Sequence, residues 1–170
     1  MRRNALPALF AALAIVHGSA EAADYSGRAR VIDGDTISIR NQRIRIAAID
    51  ACERDQTGLK DGKLWRCGVA ARSYLGKMID GQHVRCDIID QDQYRRLVGQ
   101  CFIGDVDIGL AIVKAGLAEA MLRYLPATHS ISEVEYGQAE NRARDSGFGM
   151  WSGEIESPHE YRRSKPSRIP

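Results

Sequence analysis

The chain predicts a mainly β fold of the α+β class: a small five-stranded barrel with three helices packed outside. Two observations carry that expectation. Thr36 to Arg40 and Arg43 to Ile46 alternate apolar and polar residues strictly, which is the period of a half-buried strand. Farther on, His83 to Asp90 and Leu97 to Ile103 are two apolar-rich runs flanking one polar turn, the pattern of a hairpin.

Taken in order, Tyr25 to Asp33 predicts the first strand, with Gly27 permitting a bend. Thr36 to Arg40 is the second, and Asn41-Gln42 the turn after it. Arg43 to Ile46 puts both arginines on one face and both isoleucines on the other, and Ala47-Ala48-Ile49 carries the strand toward Asp50. Residues 52–66 are polar, contain Gly58 and Gly62, and read as a long loop. Cys67 to Ile79 predicts a helix with Val69, Tyr74, Leu75 and Met78 near one stripe and Gly81 ending it. After the hairpin, Asp107 caps a second helix, Ile108 to Ala115, closed by Gly116. Leu117 to Tyr124 is irregular or a short strand. Ser132 and Glu135 form an [ST]-x-x-E box opening a third helix that ends at Gly147. Three strands, a helix, two strands and two helices suggest an OB-fold barrel, whose faces commonly bind oligonucleotides.

The termini read differently from this domain, which is expected to span residues 23–153. Residues 1–22 predict a signal peptide: Arg2 and Arg3 precede an apolar run from Ala5 to Val16, and Ala20-Glu21-Ala22 fits a cleavage site. That run is too short for a bilayer span, which needs about 20 residues. The mature chain is therefore expected to be exported, to the periplasm or the medium, free of the membrane and monomeric. Residues 154–170 are basic and proline-containing, and are expected to be mostly disordered. Once Arg2, Arg3 and Glu21 are removed from the 24 basic and 22 acidic residues, the net charge is +1. Such a balance gives little long-range attraction to a polyanion, so any nucleic-acid binding must come from local arginines.

The cysteines are Cys52, Cys67, Cys86 and Cys101, an even number that in an exported chain favours disulfides. Cys86 and Cys101 lie symmetrically about Gln93-Tyr94, so a hairpin centred there sets them opposite one another. That pairing leaves Cys52 with Cys67, although the sequence does not exclude the other two arrangements. Zinc is disfavoured, because there is no CxxC spacing and the four histidines are scattered.

The chemistry concentrates between Val31 and Glu53. Asp33, Asp35, Asp50 and Glu53 supply four carboxylates and Arg45 a guanidinium, separated by the two alternating segments. Two strands joined by a tight turn bring Asp35 and Asp50 toward one end, where hard oxygen ligands can hold a divalent cation. Each residue alone has a plainer reading: Asp33-Gly34-Asp35 as a turn, Arg45 as a partner of Glu53, Asp50 as a cap.

In order and spacing, Val31-Ile32-Asp33-Gly34-Asp35-Thr36, Ile44-Arg45-Ile46 leading to Asp50 and Glu53, and Asp92-Gln93-Tyr94-Arg95-Arg96 resemble the staphylococcal-nuclease-like (thermonuclease) family. Gly116-Leu117-Ala118 and Gly149-Met150-Trp151-Ser152 extend the resemblance, which runs from Arg28 to Ser152. It implies an OB-fold barrel and calcium-dependent cleavage of DNA and RNA. Under it, Asp35, Asp50 and the Ala51 carbonyl would ligate Ca²⁺, with Asp33 just behind them. Glu53 would activate or orient the attacking water, and Arg45 and Arg96 would grip the scissile phosphate. Tyr94 and Tyr124 would line the nucleotide pocket, with Arg95 beside them contacting substrate. The chain departs from the family pattern at Cys52, where proline is usual, and at Arg95, where glycine is usual. These residue types suffice for hydrolysis without a His, Ser or Cys nucleophile. The alternative expectation is a non-catalytic oligonucleotide-binding module on the same barrel.

Overall fold

The computed structural model describes residues 24–165. The expected signal peptide, residues 1–22, lies outside them. Along the chain run β1 (Asp24–Val31), β2 (Thr36–Ile39), β3 (Gln42–Ile46), β4 (Ile49–Ala51), β5 (Gly58–Lys60), β6 (Lys63–Trp65) and α1 (Cys67–Ile79). Then follow β7 (His83–Gln91), β8 (Leu97–Ile103), β9 (Val106–Asp107), α2 (Ile108–Lys114), β10 (Ala118–Ala120), α3 (Glu133–Asp145), β11 (Gly153–Glu154) and α4 (Pro158–Ser164).

Five strands close the barrel. Antiparallel pairing runs β3-β2-β1-β7-β8, and a parallel β3–β8 contact shuts it, with Ile44 against Leu97 and Ile46 against Gly99. Closure leaves neither β3 nor β8 as a free edge. The alternation in β2 and β3 does what it predicted: Ile37, Ile39, Ile44 and Ile46 fill the interior, sealed by Ala71, Leu75 and Ile79 of α1. The chain turns between β2 and β3 at Arg40-Asn41, one residue earlier than expected, because both take positive φ (48° and 64°) as a two-residue hairpin turn requires. In α1 the buried face is Cys67, Gly68, Ala71, Leu75 and Ile79, while Val69 is exposed.

Helices α2 and α3 are pinned together by one half-buried carboxylate. Asp107 caps α2 by accepting from the Leu110 N–H, and it also accepts from the Tyr136 hydroxyl on α3 at 2.9 Å. Burial, with Asp107 adding to it, holds the Tyr136 hydroxyl in its protonated, donating form. Ser132 accepts from the Glu135 N–H, as the capping box predicts.

Three expectations change. Residues 52–66 are not a plain loop but carry the β5–β6 hairpin, to which β11 adds a third strand. A fourth helix, α4, joins the three expected. The tail expected to be disordered is therefore folded from Gly153 through Ser164. Its signal was legible: Ser157 caps the Glu160 N–H and Pro158 takes the first helical position. Among the described residues, no helix is long and apolar enough to cross a membrane.

Candidate active site

The site forms where β3 hands over to β4. Ala48 takes φ 65°, which breaks the strand and turns Ile49–Ala51 away from the barrel to pair with β10. Asp50 and Ala51 thereby come back beside the start of β2. The β2–β3 register, Thr36 opposite Arg45, brings Asp35 to the same place. Arg45 lies between the carboxylates: Nη1 is 2.6 Å from Asp35 Oδ2 and Nη2 is 3.3 Å from Asp50 Oδ1. It pairs with these two, not with Glu53. Thr36 donates its hydroxyl to Asp35 Oδ1 at 2.8 Å. Asp33 accepts from the Gly34 N–H at 2.9 Å, and burial, opposed by that bond, pushes its carboxyl above the usual range.

Glu53 is held by its backbone. Fully buried Gln56 accepts from the Glu53 N–H at 3.0 Å and donates to the Glu156 carbonyl at 2.7 Å. Cys52 is bonded to Cys67 at the start of α1, with a Cα separation of 5.8 Å. Gly68 lets α1 approach: a Cβ there would lie 1.8 Å from the Glu53 carbonyl oxygen. Backbone cannot yield as a flexible side chain can, so Gly68→Ala must push the Glu53 segment aside. The expected result is a displaced Glu53 segment with the fold kept, measured as faster amide exchange at residues 53–56 alongside unchanged circular dichroism. The second disulfide joins Cys86 to Cys101, directly opposed across β7–β8.

Asp92 organises the hairpin tip. One carboxylate oxygen accepts from the Tyr94 and Arg96 N–H groups, both at 2.9 Å, and the other accepts from Arg96 Nε at 2.7 Å. Partial burial pushes the Asp92 carboxyl up, but the Arg96 N–H and guanidinium outweigh it and hold the carboxyl below its usual range. Arg95 takes φ 61°, the left-handed conformation a glycine enters freely, so the bend survives without glycine. Its side chain is exposed and lines neither cavity of the site.

Those two cavities adjoin. A small one of about 80 Å³ is lined by Asp33, Asp35, Arg45, Ala51, Glu53 and Arg96. A larger cleft of about 520 Å³ is lined by Arg45, Arg96, Tyr94 and Tyr124, and is walled by His159 and Arg162 of α4. Arg45 and Arg96 belong to both. Tyr94 (72 % exposed) and Tyr124 (68 % exposed) stand at the open cleft, each with a guanidinium over one face of its ring, Arg96 at 5.5 Å from the Tyr94 centroid and Arg123 at 4.9 Å from that of Tyr124.

Arg162 is the residue the sequence reading missed. It donates to Asp50 through Nη1 at 2.8 Å and Nη2 at 2.6 Å, and Nη1 also reaches Glu53 Oε1 at 3.0 Å. Its hydrogen bonds to Asp50, and then to Glu53, outweigh burial and raise the Arg162 pKa well above its ordinary value. Among the described residues no group of three or more His, Cys, Asp or Glu side chains converges in metal-ligating geometry. In donor chemistry, two carboxylates and the Ala51 carbonyl fit a hard divalent cation. In this structure those carboxylates face guanidinium groups.

Glu119 lies opposite Asp50 in the β4–β10 register. Burial first, then Glu140 and Asp50, pushes its carboxyl up to about 7 from 4.5. The folded protein thus keeps a proton that the unfolded chain has released, and stability falls as pH rises from 4.5 toward about 7. Glu119→Gln should remove that limb. We expect it to match the parent at about pH 5 and exceed it by roughly 1 kcal/mol at about pH 8 in urea unfolding, the figure being discounted for solvent screening.

The closed barrel with its external helices makes the chain an OB-fold protein. Residues 43–153 match the family model described as staphylococcal nuclease homologue. Three relatives are similar to it. The succinoglycan biosynthesis protein ExoI of Rhizobium meliloti (strain 1021) is 31 % identical over 96 % of this chain and 83 % of its own length. Two proteins called probable endonuclease are also similar: lcl3 of Botryotinia fuckeliana (29 %, 80 % of this chain, 53 % of its length) and LCL3 of Pyricularia oryzae (32 %, 78 %, 51 %). The chain spans about half the length of these two. It belongs to the staphylococcal nuclease homologues.

Proposed function

We propose that the chain is an exported, calcium-dependent nuclease hydrolysing phosphodiester bonds of DNA and RNA with little sequence specificity. The observation that carries this reading is the shared small cavity: Asp35, Ala51, Glu53, Arg45 and Arg96 all line it. Family membership and the endonuclease-named relatives support it. Both disulfides fit an oxidising compartment, which supports export.

Hydrolysis builds negative charge on a pentavalent phosphate, and stabilisation must wait where that charge develops. Arg45 and Arg96 line both the small cavity and the nucleotide-sized cleft, so a phosphate at their junction meets two charge-assisted donors. Asp35, Asp50 and the Ala51 carbonyl would hold Ca²⁺, which when bound supplies further positive charge against a phosphate oxygen. Glu53 takes the proton of the attacking water or orients it. Asp33, hydrogen-bonded to Gly34 behind Asp35, keeps the turn in shape. Tyr94 and Tyr124 offer stacking faces to bases on either side of the cut. Contacts made to phosphate carry no sequence information, which accounts for the proposed lack of specificity.

The test is incubation of the oxidised protein with end-labelled single-stranded DNA and RNA of matched sequence. Cleavage of both is expected. Retention of both without cleavage would show a binding module instead.

A further inference from the structure

Arg162 reaches the reaction site from the last helix, more than a hundred residues beyond the carboxylates it holds. Asp50 is fully buried, and both its oxygens are engaged by the Arg162 fork, at 2.8 and 2.6 Å. Arg45 adds a third donor to Oδ1 at 3.3 Å. The second Arg162 contact is with Glu53, the proposed base, at 3.0 Å. Asp35, Arg45, Asp50, Arg162 and Glu53 therefore form one chain of alternating charge.

A buried carboxylate cannot stay without a positive partner. Asp50 has one already, supplied by its own polypeptide. The Arg162 fork and Arg45 together fill three of the roughly four acceptor positions of Asp50, so a divalent ion must displace a guanidinium to gain more than one of its lone pairs. The arm that carries Arg162 is short. Helix α4 has seven residues and buries Pro158; beside the Arg162 contacts, the Tyr161 hydroxyl donates to the Asp55 carbonyl at 3.3 Å, and just past the helix Lys165 pairs with Asp55 at the surface at 2.7 Å. Arg162 also lines the large cleft beside Arg45 and Tyr94, so a displaced guanidinium would turn toward the space where a substrate phosphate lies.

We propose that Arg162 is a resident cation of this site, competing with the divalent ion for Asp50 while its second contact holds Glu53, and so setting how much Ca²⁺ the enzyme requires. This deepens, and rests on, the calcium-dependent reading above. Arg162 acts on the reaction through Asp50 and Glu53 and is a positioning residue.

The test measures Ca²⁺ binding by titration calorimetry to the oxidised full chain without nucleic acid, for wild type, Arg162→Ala and Arg162→Lys. Arg162→Ala is expected to bind Ca²⁺ at least tenfold more tightly than wild type. Arg162→Lys should fall between them, because an ammonium is a point charge that cannot fork across both oxygens. In wild type, Ca²⁺ should speed amide exchange at residues 159–164. Equal or weaker binding by Arg162→Ala overturns the competition. If wild type cleaves with Ca²⁺ while both variants bind the ion no better, only this inference fails. If no form binds Ca²⁺ and none cleaves, the calcium-dependent reading fails and takes the inference with it. Should Arg162→Ala not fold, Arg162→Lys and the wild-type exchange decide: unchanged affinity and unchanged exchange overturn the proposal.

Discussion

Replacing Glu53 with glutamine should lower kcat by ~10²–10⁴-fold while leaving oligonucleotide affinity within a few-fold of wild type. The amide has the size of the carboxylate and keeps the packing, but it cannot accept a proton from water. Its contact with Arg162 weakens without leaving a buried charge, since Glu53 is only partly buried and Asp50 retains the guanidinium fork. Stability should therefore hardly move. Measuring turnover and binding on the same preparation separates the two effects. A variant that binds normally and cleaves at the parental rate would remove Glu53 from the chemistry.

Opening the Cys52–Cys67 bridge, by Cys52→Ser with Cys67→Ser, should damage stability and turnover together. In the chain-entropy model a closed loop of about 15 residues is worth roughly 3 kcal/mol. For a domain of this size that corresponds to a fall of roughly 6–12 °C in Tm. The same bridge anchors the residue next to Glu53 to the helix that Gly68 brings against the Glu53 carbonyl. Its loss frees the Glu53 segment, and a displacement of about 1 Å in a positioned group can cost on the order of 10²-fold. The Cys86→Ser, Cys101→Ser pair is the control. That bridge crosses β7–β8 inside the barrel wall, so its loss should lower Tm comparably but leave kcat intact below the transition. If both double variants lost stability alone, the Cys52–Cys67 bridge would have no part in holding Glu53. In this reading the disulfide does the stiffening that proline does elsewhere in the family.

How far the sequence could be read followed the range of the interactions. Alternation in β2 and β3 revealed the barrel interior because one buried face imposes a period of two, and those isoleucines are indeed inside. Hairpin symmetry anticipated the Cys86–Cys101 bond for the same local reason. Gly116 was legible as the close of the second helix, and Gly149 only as a motif residue. They prove to press against one another, Met150 N–H bonding the Gly116 carbonyl at 2.8 Å, both with positive φ. Only the fold shows that contact. Within the site, Asp35, Arg45 and Asp50 meet because strand register and one turn bring them together, which short-range pattern can suggest. Arg162 comes from a segment that composition made look unstructured. Its Ser-Pro-x-Glu cap was a local signal strong enough to predict a helix, but nothing local says that the helix points at Asp50. For Arg95, motif position placed the residue beside the substrate; the fold adds that its backbone serves the turn and its side chain is exposed.

In the proposed reaction, carboxylates and arginines at the mouth of this barrel hydrolyse phosphodiesters with Ca²⁺. The most direct measurement follows cleavage of a labelled single-stranded oligonucleotide by the oxidised full chain while Ca²⁺ is added, removed by a chelator and restored. Cleavage should rise with Ca²⁺, stop on chelation and return on re-addition. Cleavage that continues undiminished under the chelator, or that never begins with Ca²⁺ present, would contradict the account.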